Sequence, residues 1–210
     1  EMDLDGFRWS VSEMENLEVA IRRIVASGDI RGGVEAVWYL SLAWGLIDPP
    51  TCSRLLEAVT AAWEASASPD VELEPRILLA RTQLQLWSGA MLQCAIDGQA
   101  CIEAADRVGD RWAAMRARAY LGQVMAWVDP DASIALHAGS LAVAEELGDR
   151  TAETLTTVGL AATYVGILTN IVAGRPYVER SLELADRLGN PLLGSWAASQ
   201  QALMCGFVGD

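Results

Sequence analysis

Five positions beat time along this chain. Asp29, Asp70, Asp110, Asp149 and Asn190 stand 41, 40, 39 and 41 residues apart, each directly after a glycine or proline (Gly28, Pro69, Gly109, Gly148, Gly189). A fixed period near forty residues constrains the fold more than any other feature. One such unit cannot bury its own apolar face, so the units must stack on one another in a continuous array.

The stretches between the markers read as helices. Between Leu136 and Leu147 ("LHAGSLAVAEEL"), apolar residues at 136, 141, 143, 144 and 147 fall close to one face of a 3.6-residue period. Glycine at the end of such a run supplies the left-handed position that closes a helix. The acidic residue after it accepts a hydrogen bond from a free N–H of the next helix. The recurring phrases "ADRVGDR" (105–111), "AEELGDR" (144–150) and "ADRLGNP" (185–191) are therefore a helix stop followed by a helix start.

A second break lies midway in the units, at "DPP" (48–50), Gly89, "DPD" (129–131) and Gly209. Proline is tolerated in a first helical turn and cannot continue a helix. Each unit is thus two antiparallel helices, an A helix after the marker and a B helix before the next. The expected helices are 13–27, 31–46, 51–66, 73–88, 91–107, 111–127, 131–147, 151–168, 174–188 and 191–208. On this map the chain opens on an unpaired B helix and ends just after an A helix. Together with a first residue, Glu1, that is not methionine, this suggests a fragment of a longer chain.

Small residues recur in register. Twelve after the marker stand Ser41, Thr82, Gly122, Ala161 and Ala202; nine before it stand Ala20, Ala61, Cys101, Ser140 and Ser181. Five before it stand Ala65, Ala105, Ala144 and Ala185, with Ile24 breaking the column and Arg81 and Gln201 flanking the first one. Helices approach closely where side chains are small. The expectation is an all-α fold, an α-solenoid of about five antiparallel helix-hairpin repeats. Apolar residues are 52% of the chain, enough for a core, and no linker divides it, so residues 1–210 read as a single helical-repeat domain.

These residues resemble tetratricopeptide-like repeats in a version of about forty residues, whose hairpins wind into a right-handed superhelix. More narrowly, they resemble the helical-repeat region of large bacterial regulators of the maltose-regulon-activator-like kind. Those carry a STAND-type NTPase, then helical repeats, and often a LuxR-type helix-turn-helix. "EMENLEVAIRRIVASGD" (13–29) is similar to the E-x-x-N-L-x-x-A-(x)n-G-D segment that opens such a region, through Glu13, Asn16, Leu17, Ala20, Gly28 and Asp29. The phrase A-x-x-L-G-D follows at Ala144–Asp149. The resemblance implies a sensory and protein-interaction module of an ATP-dependent transcriptional regulator, taking an inducer or partner protein in its groove. The ATP site and the DNA-reading helix would lie elsewhere in the parent. Similar repeats also serve as scaffolds in cyclase- or kinase-linked signalling proteins, with a protein partner and no transcriptional role.

In this class the A helices line the concave surface. With the twelfth position turned toward the B helix, positions 6, 9, 13 and 17 after the marker face the groove. They hold Glu35, Arg76, Arg116, Leu155 and Trp196; Trp38; Gln83 and Gln123; and Trp87, Trp127 and Phe207. The expected ligand or partner groove is therefore Glu35, Trp38, Arg76, Gln83, Trp87, Arg116, Gln123, Trp127 and Trp196. Aromatic walls with arginines and glutamines suit a ligand with an apolar body and an anionic or amide group. Six of the eight tryptophans fall on A helices, with Trp63 on a B helix and Trp9 ahead of the first helix.

The remaining features argue against chemistry. All 15 basic residues are arginine, so there is no P-loop lysine and no Schiff-base lysine. A formal charge of −13 disfavours contact with nucleic acid and with anionic membranes. Cys94 and Cys101 lie two helical turns apart, roughly 10 Å along the axis, too far to bridge. With Cys52 and Cys205 they read as reduced thiols filling small core slots in a cytoplasmic protein. His137, the one histidine, reads as solvent-facing or capping, with no partners for a metal or a catalytic triad. No catalytic residues, metal or cofactor are expected in this segment. Its unpaired terminal helices leave room for end-to-end self-association.

Overall fold

A computed structural model describes residues 4–209, with the side chains of residues 4–7, 42–44 and 46 outside the description. Every regular element among the described residues is helical. In order they are α1 (Leu4–Ser12), α2 (Met14–Ala26), α3 (Ile30–Ile47), α4 (Pro49–Glu64), α5 (Glu74–Ser88), α6 (Met91–Val108), α7 (Arg111–Met125), α8 (Pro130–Leu147), α9 (Arg150–Ala161), α10 (Ile171–Leu188) and α11 (Pro191–Val208). A π-helical segment, Ala162–Ile167, continues α9. This is the all-α helical-repeat architecture of the α-solenoid class, with helices adjacent in sequence packing on one another, as α3 on α4, α5 on α6, α8 on α9 and α10 on α11. No helix among the described residues is long and apolar enough to cross a membrane.

The markers do what their chemistry requires. Gly28, Gly109, Gly148 and Gly189 have φ of 88°, 74°, 67° and 66°, left-handed values that a side chain would strain. The residue after each caps the next helix. Asp29 accepts from the Gly32 amide at 2.9 Å, Asp110 from Ala113 at 3.0 Å and Asp149 from Ala152 at 2.9 Å. Asn190 accepts from both Leu192 and Leu193. The midway breaks work alike, with Asp48 capping α4, Asp129 capping α8 and Asn170 capping α10. The second marker departs from the rule. Pro69 supplies no left-handed turn, α5 begins four residues after Asp70, and the Asp70 carbonyl accepts instead from the Trp63 indole at 2.8 Å.

The helices depart from the sequence map in places. A helix, α1, precedes Met14 and packs on both α2 and α3, so α2 is not unpaired and Trp9 is helical. The helix expected over 151–168 opens into a π-helical turn, where the Leu168 amide reaches the Thr163 carbonyl five residues back. Thr169 follows with φ of 51°. Trp44 lies in α3, but its side chain is outside the described residues, as are those of the N-terminal acids Glu1, Asp3 and Asp5.

The chain divides into two compact units, one from Leu4 to Ala117 and one from Arg118 onward, the division falling within α7. The first is built on Ile21, Val34, Val37, Leu55, Leu56, Val59, Ile77 and Leu84. Each large aliphatic side chain so buried contributes about 1.5–3 kcal/mol. The second is built on Ala161, Val165, Val178 and Met204, with Val158, Ala185 and Ala197 forming a smaller cluster. The small-residue columns are interior where a neighbouring helix covers them. Ser41, Thr82, Cys101, Ala105, Ser140, Ala144, Ala161 and Ser181 are all buried, while Ala61, Ala65 and Ala202 are exposed.

Candidate functional site

In the first unit, side chains of α3 and the openings of α5 and α7 surround a pocket of about 560 Å³. α3 contributes Arg31, Val34, Glu35, Trp38 and Tyr39, which share one face because positions three and four apart are neighbours on a helix. Glu72, Leu73 and Arg76 come from the start of α5 and the turn before it. Asp110 and Trp112 come from the marker before α7 and its first turn.

The aromatic wall is tied together by cations. Trp38 meets Trp112 edge to face, ring centres 5.4 Å apart. The Arg76 guanidinium lies 4.2 Å from the Trp112 ring centre and that of Arg116 lies 5.3 Å from it. Both distances are in the range of favourable cation–π attraction. Arg76 also donates from Nε to Asp110 Oδ2 at 2.6 Å and from Nη2 to Oδ1 at 3.2 Å. Asp110 thus caps α7 and holds an arginine of the preceding A helix. Arg31 bridges to Asp70 at 2.7 Å and Glu72 at 3.3 Å. The hydrogen bond from Arg31 lowers the Asp70 pKa and that with Asp70 raises the Arg31 pKa, both groups standing in solvent. One residue before Arg76, the Pro75 carbonyl accepts from the Cys101 thiol at 3.2 Å, and burial pushes that thiol's pKa up to about 12.

Of the nine residues expected in the groove, Glu35, Trp38 and Arg76 line this pocket, and Arg116 is buried against Trp112. Gln83 is a correction. It is 1% exposed, because it shares the inward stripe of α5 with Leu79 four residues earlier, itself fully buried. Trp87 is half-buried against Gly45. Gln123, Trp127 and Trp196 belong to the second unit. There Trp196 packs on the cluster of Val158, Ala185 and Ala197. α7 ends at Met125, so Trp127 is not helical, and it stands 80% exposed in the turn. The sequence reading missed Tyr39 and Trp112. Spacing carried a signal for both: Tyr39 is four residues after Glu35, and Trp112 is four residues before Arg116.

The charge reading also changes. Arginines and glutamines in the groove suit an anionic or amide group, but of the arginines Arg31 and Arg76 are already paired with carboxylates and Arg116 is buried. Glu35 is exposed and has no hydrogen-bond or ion-pair partner among the described residues.

His137 is the second correction. It is fully buried in the second unit, not solvent-facing. A Cβ on Gly159 would lie 2.4 Å from the imidazole and one on Gly122 2.8 Å, so only glycine lets those helices close over the ring. Hydroxyls crowd the same interior. Ser133 Oγ donates to the Gly122 carbonyl at 2.8 Å and lies 3.1 Å from Thr163 Oγ1, and Ser140 pairs with Thr156 at 3.1 Å. Neither ring nitrogen has a hydrogen-bond partner among the described residues. Burial pulls the imidazole pKa down to about 4, so the ring is neutral at pH 7. No group of three or more metal-binding side chains gathers among the described residues.

Compared with known proteins, the sequence matches no family model and none of the curated proteins.

Proposed function

We propose that this chain is a non-catalytic sensory and protein-interaction repeat module of a larger ATP-dependent transcriptional regulator, binding its inducer or partner in the pocket of α3, α5 and α7. The pocket carries the reading. It holds about 560 Å³, within the usual size of ligand sites, and its lining mixes aromatic rings with charged groups on three successive A helices. The regulator context comes from the resemblance of residues 13–29 and of the recurring A-x-x-L-G-D phrase.

A ligand in this pocket touches three hairpins at once. In a repeat array each hairpin contacts only its neighbours, so small rotations between them accumulate. A ligand that prefers one arrangement draws the population toward it, and an attached NTPase would respond to the shift.

The test is a Trp38→Ala, Tyr39→Ala double variant in the parent protein, with Trp127→Ala as a control outside the pocket. The proposal expects inducer-dependent ATP hydrolysis to disappear in the first and persist in the second. An inducer response that survives the double variant refutes it. A parent with cyclase or kinase domains in place of the NTPase would favour the scaffold alternative.

A further inference from the structure

Resting on that reading of the pocket, we infer that it selects a cationic group bearing N–H donors, a guanidinium or primary ammonium carried on a hydrocarbon stem. The lining holds three carboxylates, Glu35, Glu72 and Asp110, against two guanidiniums, Arg31 and Arg76. Both guanidiniums are already paired with carboxylates of the protein. Arg31 is held between Asp70 and Glu72, and Arg76 is held by Asp110 and by the face of Trp112. An incoming anion must compete with carboxylates already paired to both arginines of the lining, and meets a carboxylate excess in a chain of formal charge −13. An incoming cation is steered by the same field.

Within the lining, Glu35 is the carboxylate with no hydrogen-bond or ion-pair partner among the described residues. Trp38 and Tyr39 stand three and four residues further along α3, so both rings neighbour its carboxylate on one helix face. Tyr39 is 63% exposed, an unusual degree for an aromatic ring on a pocket wall. A guanidinium hydrogen-bonded to Glu35 therefore has aromatic surface beside it for cation–π contact and for its stem. Within the pocket Arg76 already sits on Trp112 while bonded to Asp110, the same pairing of ring and carboxylate made by the protein's own side chain. Because Glu35 recognises by accepting hydrogen bonds, a cation without N–H groups satisfies only part of the site.

The test is calorimetric titration of the whole chain at low salt with four probes: N-acetyl-argininamide, a free alkylguanidine, tetramethylammonium and N-acetyl-glutamic acid amide. Glu35→Gln and Tyr39→Ala are the variants, both at exposed positions, with thermal melts to confirm folding. The two guanidinium probes should bind, with tetramethylammonium weaker and the anion silent. Glu35→Gln should weaken guanidinium binding roughly ten- to hundredfold, as expected for a lost charge-assisted hydrogen bond. Preference for N-acetyl-argininamide points to a peptide side chain as the natural source, and preference for the alkylguanidine to a small molecule; either supports the inference. Guanidinium binding unchanged in Glu35→Gln overturns it. Binding of the anion instead, abolished by Tyr39→Ala, overturns the cation assignment but leaves the pocket standing. If no probe binds in a way sensitive to Tyr39→Ala, both readings fall.

Discussion

Arg76 Nε donates to Asp110 Oδ2 at 2.6 Å while the other oxygen of that carboxylate accepts from the Ala113 amide at 3.0 Å. One marker aspartate thus starts a helix and fixes an arginine of the helix before it. Asparagine caps a helix about as well as aspartate but cannot pair as an anion, so two variants separate the jobs. Asp110→Ala should lose about 1–2 kcal/mol of stability, mostly the cap. Asp110→Asn should lose under about 1 kcal/mol, because the arginine is about a third exposed and its ion pair is screened. Equal losses in urea denaturation would contradict this division.

Gly159→Ala sets two effects against each other. Alanine favours a helix over glycine by about 1 kcal/mol. A Cβ there, however, would lie 2.4 Å from the fully buried His137 ring. Overpacking costs about 1–3 kcal/mol, so the clash should win and the variant should be less stable. In a His137→Ala background the ring is gone and only the amide end of Gln123, 2.8 Å from the Cβ, still has to shift, so the loss should shrink markedly. A double-mutant cycle showing no coupling would remove the close-approach account of this glycine.

Acid should destabilise the second unit through His137. The unfolded ring titrates near 6.5 and the folded one near 4, so between those values the unfolded state binds the extra proton. The stability from keeping the ring neutral is complete above pH 6.5 and drains away as pH falls toward 4. A shift of that size corresponds to about 3 kcal/mol. Stability measured from pH 7 to 4 should fall more steeply in the wild type than in His137→Leu. Parallel curves would mean the imidazole is not held neutral.

The cysteines should separate by burial. Cys52, Cys94 and Cys101 are buried and their thiols are pushed up to about 12, chiefly by desolvation. The thiolate is the nucleophile, so these three should resist iodoacetamide at pH 8 in the folded protein. Cys205, only partly buried, should be modified first. Mass spectrometry after brief labelling should find one adduct on the native chain and four after denaturation; rapid labelling of Cys101 would contradict its burial against the Pro75 carbonyl.

How much of this could be read in advance follows from how local each cause is. A left-handed glycine and a capping aspartate act within three residues, so Gly148 and Asp149 were legible from their letters alone. Residues 65–73 were harder, since Pro69 replaces the glycine and the turn is held by Trp63 instead. α1 was missed because "LDGFRWSVS" is only nine residues long, too short to hold a helix by itself, and is helical in contact with α3. The site was half legible. Helical spacing put Glu35 and Trp38 on one face, but it could not show that Arg76 is claimed by a residue 34 positions away. Nor could it tell an inward stripe from an outward one, which misplaced Gln83. His137 misled for a simple reason: its burial depends on Gly122 and Gly159, on either side of it in sequence and adjacent only in the fold.

The central claim is that ligands enter between α3, α5 and α7 of the first unit. The eight tryptophan indoles report this site by site, through their N–H signals in a nitrogen-15 correlation spectrum. During titration with N-acetyl-argininamide, the signals of Trp38 and Trp112 should move together and saturate, while those of Trp127 and Trp196 hold still. Shifts confined to Trp127 or Trp196, or spread evenly over all eight, would contradict the claim.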